Sequence, residues 1–210
     1  MSRYKMHAIE YNSLMTLLKL LSDELPDIVK QYGIGGDIKV LPSYPRDITK
    51  MFKPSIIVRR VDTSQYKLGL GNFIGQLFDK KDNSYTDAFG IGHDIMVQFD
   101  VVSNSNSQMS LLTSALSEDI FNNLIITHGG HFQLYDFTAN EDNPTEMGVI
   151  TIDGTPSVTY IPKDDVRPNL NNDYISAIRL TFTVVQEIIP KQEYIDLSKW
   201  IKIKQTIKVK

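Results

Sequence analysis

The chain has 210 residues, a length that fits one domain, and 41% of them are hydrophobic, enough to build a core rather than a disordered tail. Lys and Arg number 22 against 25 Asp and Glu, a net charge of −3, which argues against a protein whose main work is coating duplex DNA. With no cysteine, thiol catalysis, cysteine-ligated zinc, iron–sulfur clusters and disulfides are excluded together.

The opening residues MSRYKMHAIEYN hold no apolar run of signal-peptide length. No stretch reaches the roughly 18 consecutive apolar residues of a membrane span, so a soluble chain folding in a cytoplasm is expected. Tyr11, Leu14, Leu17, Leu18, Leu21, Leu25 and Ile28 follow a helical stripe, with Asn12, Ser13, Thr16, Lys19, Ser22, Asp23 and Glu24 on the wet face. Pro26 suits the first turn of a helix better than its middle. The pattern therefore predicts one helix to about residue 24 and a short second one from 26 to Tyr32, ended by Gly33, Gly35 and Gly36.

Pro42, Pro45 and Pro54 mark 41–55 as an extended connection. The β-rich run 55–61 reads as the first sheet strand. The Gly- and Asp-rich stretch 62–90 reads as an inserted hairpin or long functional loop. The clearest strand is 93–103, where Ile95, Val97, Phe99 and Val101 alternate with Asp94, Gln98 and Asp100, and the carboxylates of Asp94 and Asp100 are expected on a solvated or interface face. Ser103-Asn104-Ser105-Asn106-Ser107 then suits a turn and helix cap. A helix over 107–125 follows, with Met109, Leu112, Leu116, Ile120 and Leu124 inward and Ser110, Thr113, Ser117 and Asn122 opposite.

Residues 126–175 carry eight acids against Lys163 and Arg167 and read as an acidic insertion of hairpins and loops, with β-like runs at 132–137, 147–152 and 157–161. The sheet pattern returns over 177–189, where Ile178, Leu180, Phe182 and Val184 share a face. In the segment 191–210, six lysines face Glu193 and Asp196. After Trp200, isoleucine or valine at 201, 203, 207 and 209 alternates with Lys202, Lys204, Lys208 and Lys210. Such a strand serves as a charge-protected sheet edge or as an arm that pairs with a neighbouring subunit, so Trp200, Ile201, Lys202, Ile203, Lys204, Ile207 and Val209 are the expected subunit-interface residues. The fold class is therefore α+β: a single domain over 1–210, with one mixed or antiparallel sheet, two amphipathic helices, hairpin insertions and an extended C-terminal arm.

Motifs for chemistry are weak. Gly69-Leu70-Gly71-Asn72-Phe73-Ile74-Gly75 has its third glycine one position late for a dinucleotide fingerprint and follows no apolar strand. His128-Gly129-Gly130-His131, near Asp136, is a histidine pair whose glycines break any helix, so it reads as a polar turn. No Gly-x-Ser-x-Gly pentapeptide is present to form a nucleophile elbow. No catalytic residue, cofactor or metal is expected.

The run His93-Asp94-Ile95-Met96-Val97-Gln98-Phe99-Asp100-Val101-Val102-Ser103, the Ser/Asn cap and helix 107–125 resemble the middle of bacteriophage tail terminator (tail completion) proteins. Helix 10–32, strand 55–61 and strand 177–189 fall in the same order as in that family. The acidic stretch and the lysine-rich end exceed the compact family pattern and suggest a version from a long contractile-tailed phage. The resemblance implies a virion structural protein of the tail neck, assembled in the host cytoplasm as a homohexameric ring. Such a ring stops tube and sheath polymerisation and joins the tail to the head connector. Its implied partners are the tail tube protein, the tail sheath protein, the head–tail connector protein and DNA passing through the lumen, with no membrane. Two alternatives stand beside it: another neck or baseplate ring protein, and a soluble enzyme with a site built from loops 62–90 and 128–136.

Overall fold

The computed structural model describes residues 6–34, 37–47, 50–67, 73–79, 83–138, 140, 143–161 and 173–188. The architecture is α+β, with one mixed sheet and two helical rods on the same face of it. The expected arm at 191–210, with all seven interface residues from Trp200 to Val209, lies outside the described residues.

The first rod, α1 (Met6–Tyr32), passes through Pro26 without a break, where the sequence pattern predicts two helices. A proline inside a helix costs about 3 kcal/mol. Leu21, Leu25 and Ile28 are all buried on the continuing stripe, and each such side chain stabilises by roughly 1.5–3 kcal/mol, which outweighs that cost. The rod closes at Gly33, whose φ of 61° is left-handed, while the Ile34 N–H reaches back to the Val29 carbonyl at 3.0 Å. Asn12, Ser13 and Thr16, expected on the wet face, are buried. Asn12 and Thr16 bond to a sheet edge, as described below.

The second rod runs from Asn106 to His128 in three unbroken segments: α2 (Asn106–Ser114), a π-helical stretch (Ala115–Asn122) and α3 (Asn123–His128). Ser105 caps its start by accepting from the Gln108 N–H, as the Ser/Asn cluster predicts. The wider π turn brings Ala115, Leu116, Ser117, Ile120 and Phe121 into the buried set, more than one α-helical stripe holds. Ser117, expected outside, is therefore inside, and Thr113 of α2, also expected outside, is buried as well. The Thr113 hydroxyl donates to the Met109 carbonyl and pairs with Ser176 of the sheet, and Ser117 donates to the Thr113 carbonyl at 2.8 Å, so both are satisfied.

The strands are β1 (Lys39–Leu41), β2 (Ser55–Lys67), β3 (Phe73–Asp79), β4 (Ser84–Ser103), β5 (His131–Asp136), β6 (Thr145–Ile161) and β7 (Tyr174–Ile188). The main order is β1-β2-β4-β7-β6-β5, with β3 paired to β4. All pairs are antiparallel except β1 with β2. Phe89 pairs with both Phe73 and Ile188, so β3 follows β2 along the edge of β4 opposite β7. Residues 62–90 thus hold the outer part of a hairpin rather than a loop. Residues 131–161, expected as an insertion, supply two strands of the main sheet. The runs 147–152 and 157–161 belong to one strand, β6, bent where the register with β7 shifts between Asp153 and Ser157. Gly154, at φ 83°, takes the left-handed conformation that this bulge uses.

The helix-facing side of the sheet holds Ile56, Val58, Ile95, Val97, Phe99, Val101, Ile178, Leu180, Phe182 and Val184, all buried. Phe121 of the π stretch packs on Phe99 with ring centroids 4.8 Å apart, and Phe182 closes the group edge-on at 6.3 and 6.4 Å. A second, smaller core lies elsewhere: Met51, Ile57, Val102 and Ile175, joined by Leu41, Tyr44 and Ile161. Ile57 and Val102 fall at the alternate positions of β2 and β4, so the Pro-containing link 41–55 covers one end of the helix-free face.

Candidate interaction surfaces

Three surfaces remain on this framework, and strand alternation produces the first. Positions 94, 96, 98 and 100 of β4 point away from the helices, and cross-strand pairing aligns Arg59 of β2, Gln98 of β4 and Arg179 of β7 in one row. Arg59 Nε donates to Asp100 Oδ2 at 2.8 Å, Tyr44 Oη donates to the same oxygen at 2.9 Å, and Gln98 Nε2 donates to Asp100 Oδ1. Arg179 Nε in turn donates to Gln98 Oε1 at 2.7 Å. Asp100, expected on a solvated or interface face, is only 1% exposed, because Tyr44 and the link behind it cover it. Its burial is tolerated because three donors converge on it. Farther along, Thr183 donates to Asp94 at 2.9 Å. Tyr66 lies across Gly92, where a Cβ would fall inside its ring. Burial, then the charge of Asp94, pushes the Tyr66 hydroxyl above its ordinary value.

The second surface is the end of the β3–β4 hairpin. Among the described residues, pairing of β7 with β4 ends at Phe89 and residues 84–88 of β4 pair only with β3, a stretch of about 17 Å at ~3.3 Å per residue. Phe78 and Tyr85, directly opposite in register, stack at 5.0 Å and are 47% and 66% exposed. An exposed aromatic pair on a two-stranded projection is more typical of a contact surface than of a fold-stabilising core.

The third surface is a sheet edge. β5 pairs with β6 only as far as Thr151, whereas β6 continues to Ile161 against β7. Among the described residues no strand pairs with the other side of 157–161. Val158 and Tyr160 there are 38% and 56% exposed.

The sequence motifs fall elsewhere. Gly129 and Gly130, with φ of 61° and 76°, end the second rod and turn it into β5, which gives the histidine pair a local role in chain reversal. His131 Nδ1 lies 2.8 Å from the Thr151 hydroxyl, and both histidines are exposed. Gly69 and Gly71 are outside the described residues, and Gly75 belongs to β3. Among the described residues no three His, Asp or Glu side chains gather as a metal ion would need, and no helix is long and apolar enough to cross a membrane. The row on the helix-free face was missed from sequence because it depends on register. Its only trace is the alternation of polar residues in 94–100. No protein-family model matches the chain, and no curated protein does.

Proposed function

We propose that this chain is a structural ring protein of a contractile phage tail, the terminator that caps the head-proximal end of the tube and sheath and joins it to the head connector. The observation that carries the reading is the outer end of the β3–β4 hairpin, where Phe78 and Tyr85 form an exposed aromatic pair. Its shape suits a subunit that works by contact with neighbours rather than by transforming a small molecule. A closed ring of identical subunits needs a heterologous interface, and projecting hairpins and open sheet edges are common ways to make one. The element order, from N-terminal helix through hairpin, capped helix and late central strand, also agrees with the resemblance described above. The acidic stretch 126–175, if it lines the lumen, would repel DNA phosphate and let the genome pass.

Light scattering on the purified protein, alone and with tail tubes, tests the assembly: about six copies, or capture on tube ends, is expected for a hexameric ring. Disrupting the gene tests the role, with tails of uncontrolled length or tails that fail to join heads as the expected result. Normal tails joined to heads would remove the terminator assignment. A ring with tails of normal length but altered baseplates would favour the baseplate alternative.

A further inference from the structure

We infer that the open edge of β6 at 157–161 receives residues 201–209 of a second copy of this chain as an added strand. The inference deepens the ring reading and rests on it for the identity of the second copy as a ring neighbour.

The edges of this sheet are treated unequally. α1 covers the outer edge of β5. The Tyr135 N–H donates to Thr16 Oγ1 at 3.1 Å and the Phe137 N–H to Asn12 Oδ1 at 2.9 Å, so groups that would otherwise recruit a strand are occupied. The outer edge of β2 beyond β1 carries Arg59, Arg60 and Asp62, charges that oppose pairing with another strand. In contrast, 157–161 reads Ser-Val-Thr-Tyr-Ile. It has no charge and no proline, and three of its five residues are β-branched or aromatic with strong strand preference besides the terminal isoleucine. The bulge and Pro156 lie just before it, and do not interrupt its pairing with β7. An uncharged edge of this kind accepts another strand readily.

The occupant is identified by pattern, charge and reach. Residues 201–209 alternate Ile201, Ile203, Ile207 and Val209 with Lys202, Lys204 and Lys208. One side can meet apolar groups such as Val158 and Tyr160 while the other stays in water. The segment 191–210 carries six lysines and two acids, whereas 126–175, which contains the edge, carries eight acids and two bases. Opposite charge on the two partners favours encounter and correct pairing. Reach favours a second copy over the same chain. Ile188 pairs at the hairpin end of the sheet, and Ala177, opposite Thr159, lies eleven residues back along β7, about 36 Å away at ~3.3 Å per residue. The twelve residues 189–200 span at most about 40 Å when fully extended, so a same-chain arm reaches this edge only running parallel to β6, whereas an arm from a neighbour can also add antiparallel.

The absence of cysteine makes a direct test clean. Two full-length versions of different mass are co-expressed, one carrying Thr159→Cys and the other a single cysteine at 201, 203, 207 or 209. At one or more of these positions, oxidation should yield a mixed disulfide at least about tenfold above an Asp23→Cys control on α1, because docking raises the local thiol concentration by orders of magnitude. A Val158→Lys/Tyr160→Lys background, checked by its melting curve, should return the yield to control level, since added lysines repel the arm. Yields no higher than the control at all four positions would overturn the inference. So would a disulfide that forms only within a single chain carrying both cysteines and persists on dilution. The readout is independent of the tail: a strong cross-link with normal tails in the gene's absence would remove the terminator role alone, and uncontrolled tails with no cross-link would remove the strand addition alone.

Discussion

Replacing Asp100 with alanine tests the network on the helix-free face. The carboxylate is 1% exposed and holds Arg59, Tyr44 and Gln98 together. Arg59 is 46% exposed and would regain water, so its share falls in the range of a surface pair, about 0–1 kcal/mol. Gln98 is only 3% exposed and would keep a buried amide short of a partner, at about 1–3 kcal/mol, and the hydrogen bond lost at Tyr44 adds about 1 kcal/mol. The expected total is about 3 kcal/mol, at the lower end of what removing one member of a buried pair costs. For a chain of this size that corresponds to a melting temperature lower by about 6–12 °C. Urea unfolding followed by circular dichroism measures it, with Asp94→Ala, at a half-exposed position bonded to Thr183, as a comparison expected to lose less than about 1 kcal/mol. Equal small losses in both variants would refute the idea that three converging donors make Asp100 a structural anchor.

Other expectations are as direct. Phe121→Ala, at the centre of the aromatic group, should cost about 3–5 kcal/mol in the same unfolding assay, and a loss below about 1 kcal/mol would mean the π stretch does not pack as described. Asn12→Ala should cost about 2–3 kcal/mol and speed hydrogen exchange at the Phe137 amide, because Asn12 also donates to Asp136 at 3.1 Å; unchanged protection there would argue against the capped edge. The raised Tyr66 hydroxyl holds its proton more tightly in the folded state than in the unfolded one. Its contribution is fully present below the ordinary tyrosine value of about 10 and is lost as pH rises above it. Melting temperature measured across that range should therefore fall more steeply in the wild type than in Tyr66→Phe, and parallel curves would contradict the shift.

The layout of the core was legible because period and burial coincide where one face is dry. Ile95, Val97, Phe99 and Val101 announce β4, and Met109, Leu112, Leu116 and Ile120 announce the second rod. What escaped notice were polar residues performing structural work. Asn12 and Thr16 look like the wet side of α1 until a strand edge needs their oxygens, and Thr113 looks exposed until Ser176 is placed beside it. These partners lie tens of residues away or more, and no local pattern encodes them. Local signals also misjudged continuity. Pro26 looks like a boundary, but burial on both sides of it carries the helix through. The acids of 126–175 look like an insertion, although Ile150 and Ile152 are core residues. Each candidate surface left a partial trace in sequence, in the polar alternation of 94–100, the hairpin reading of 62–90 and the β character of 157–161, whose open edge depends on where β5 stops.

The placement of β7 has a consequence for biosynthesis. It follows every other described strand in the chain, yet it lies between β4 and β6 in the middle of the sheet. Until residues 174–188 have left the ribosome, β4 and β6 each present a long unsatisfied flank, and the hairpins built earlier have nothing to join them. Nascent polypeptide arrested before residue 174 should thus be digested rapidly by protease and prone to clump, while release past residue 188 brings resistance in one step. Stepwise gain of resistance during elongation would contradict this.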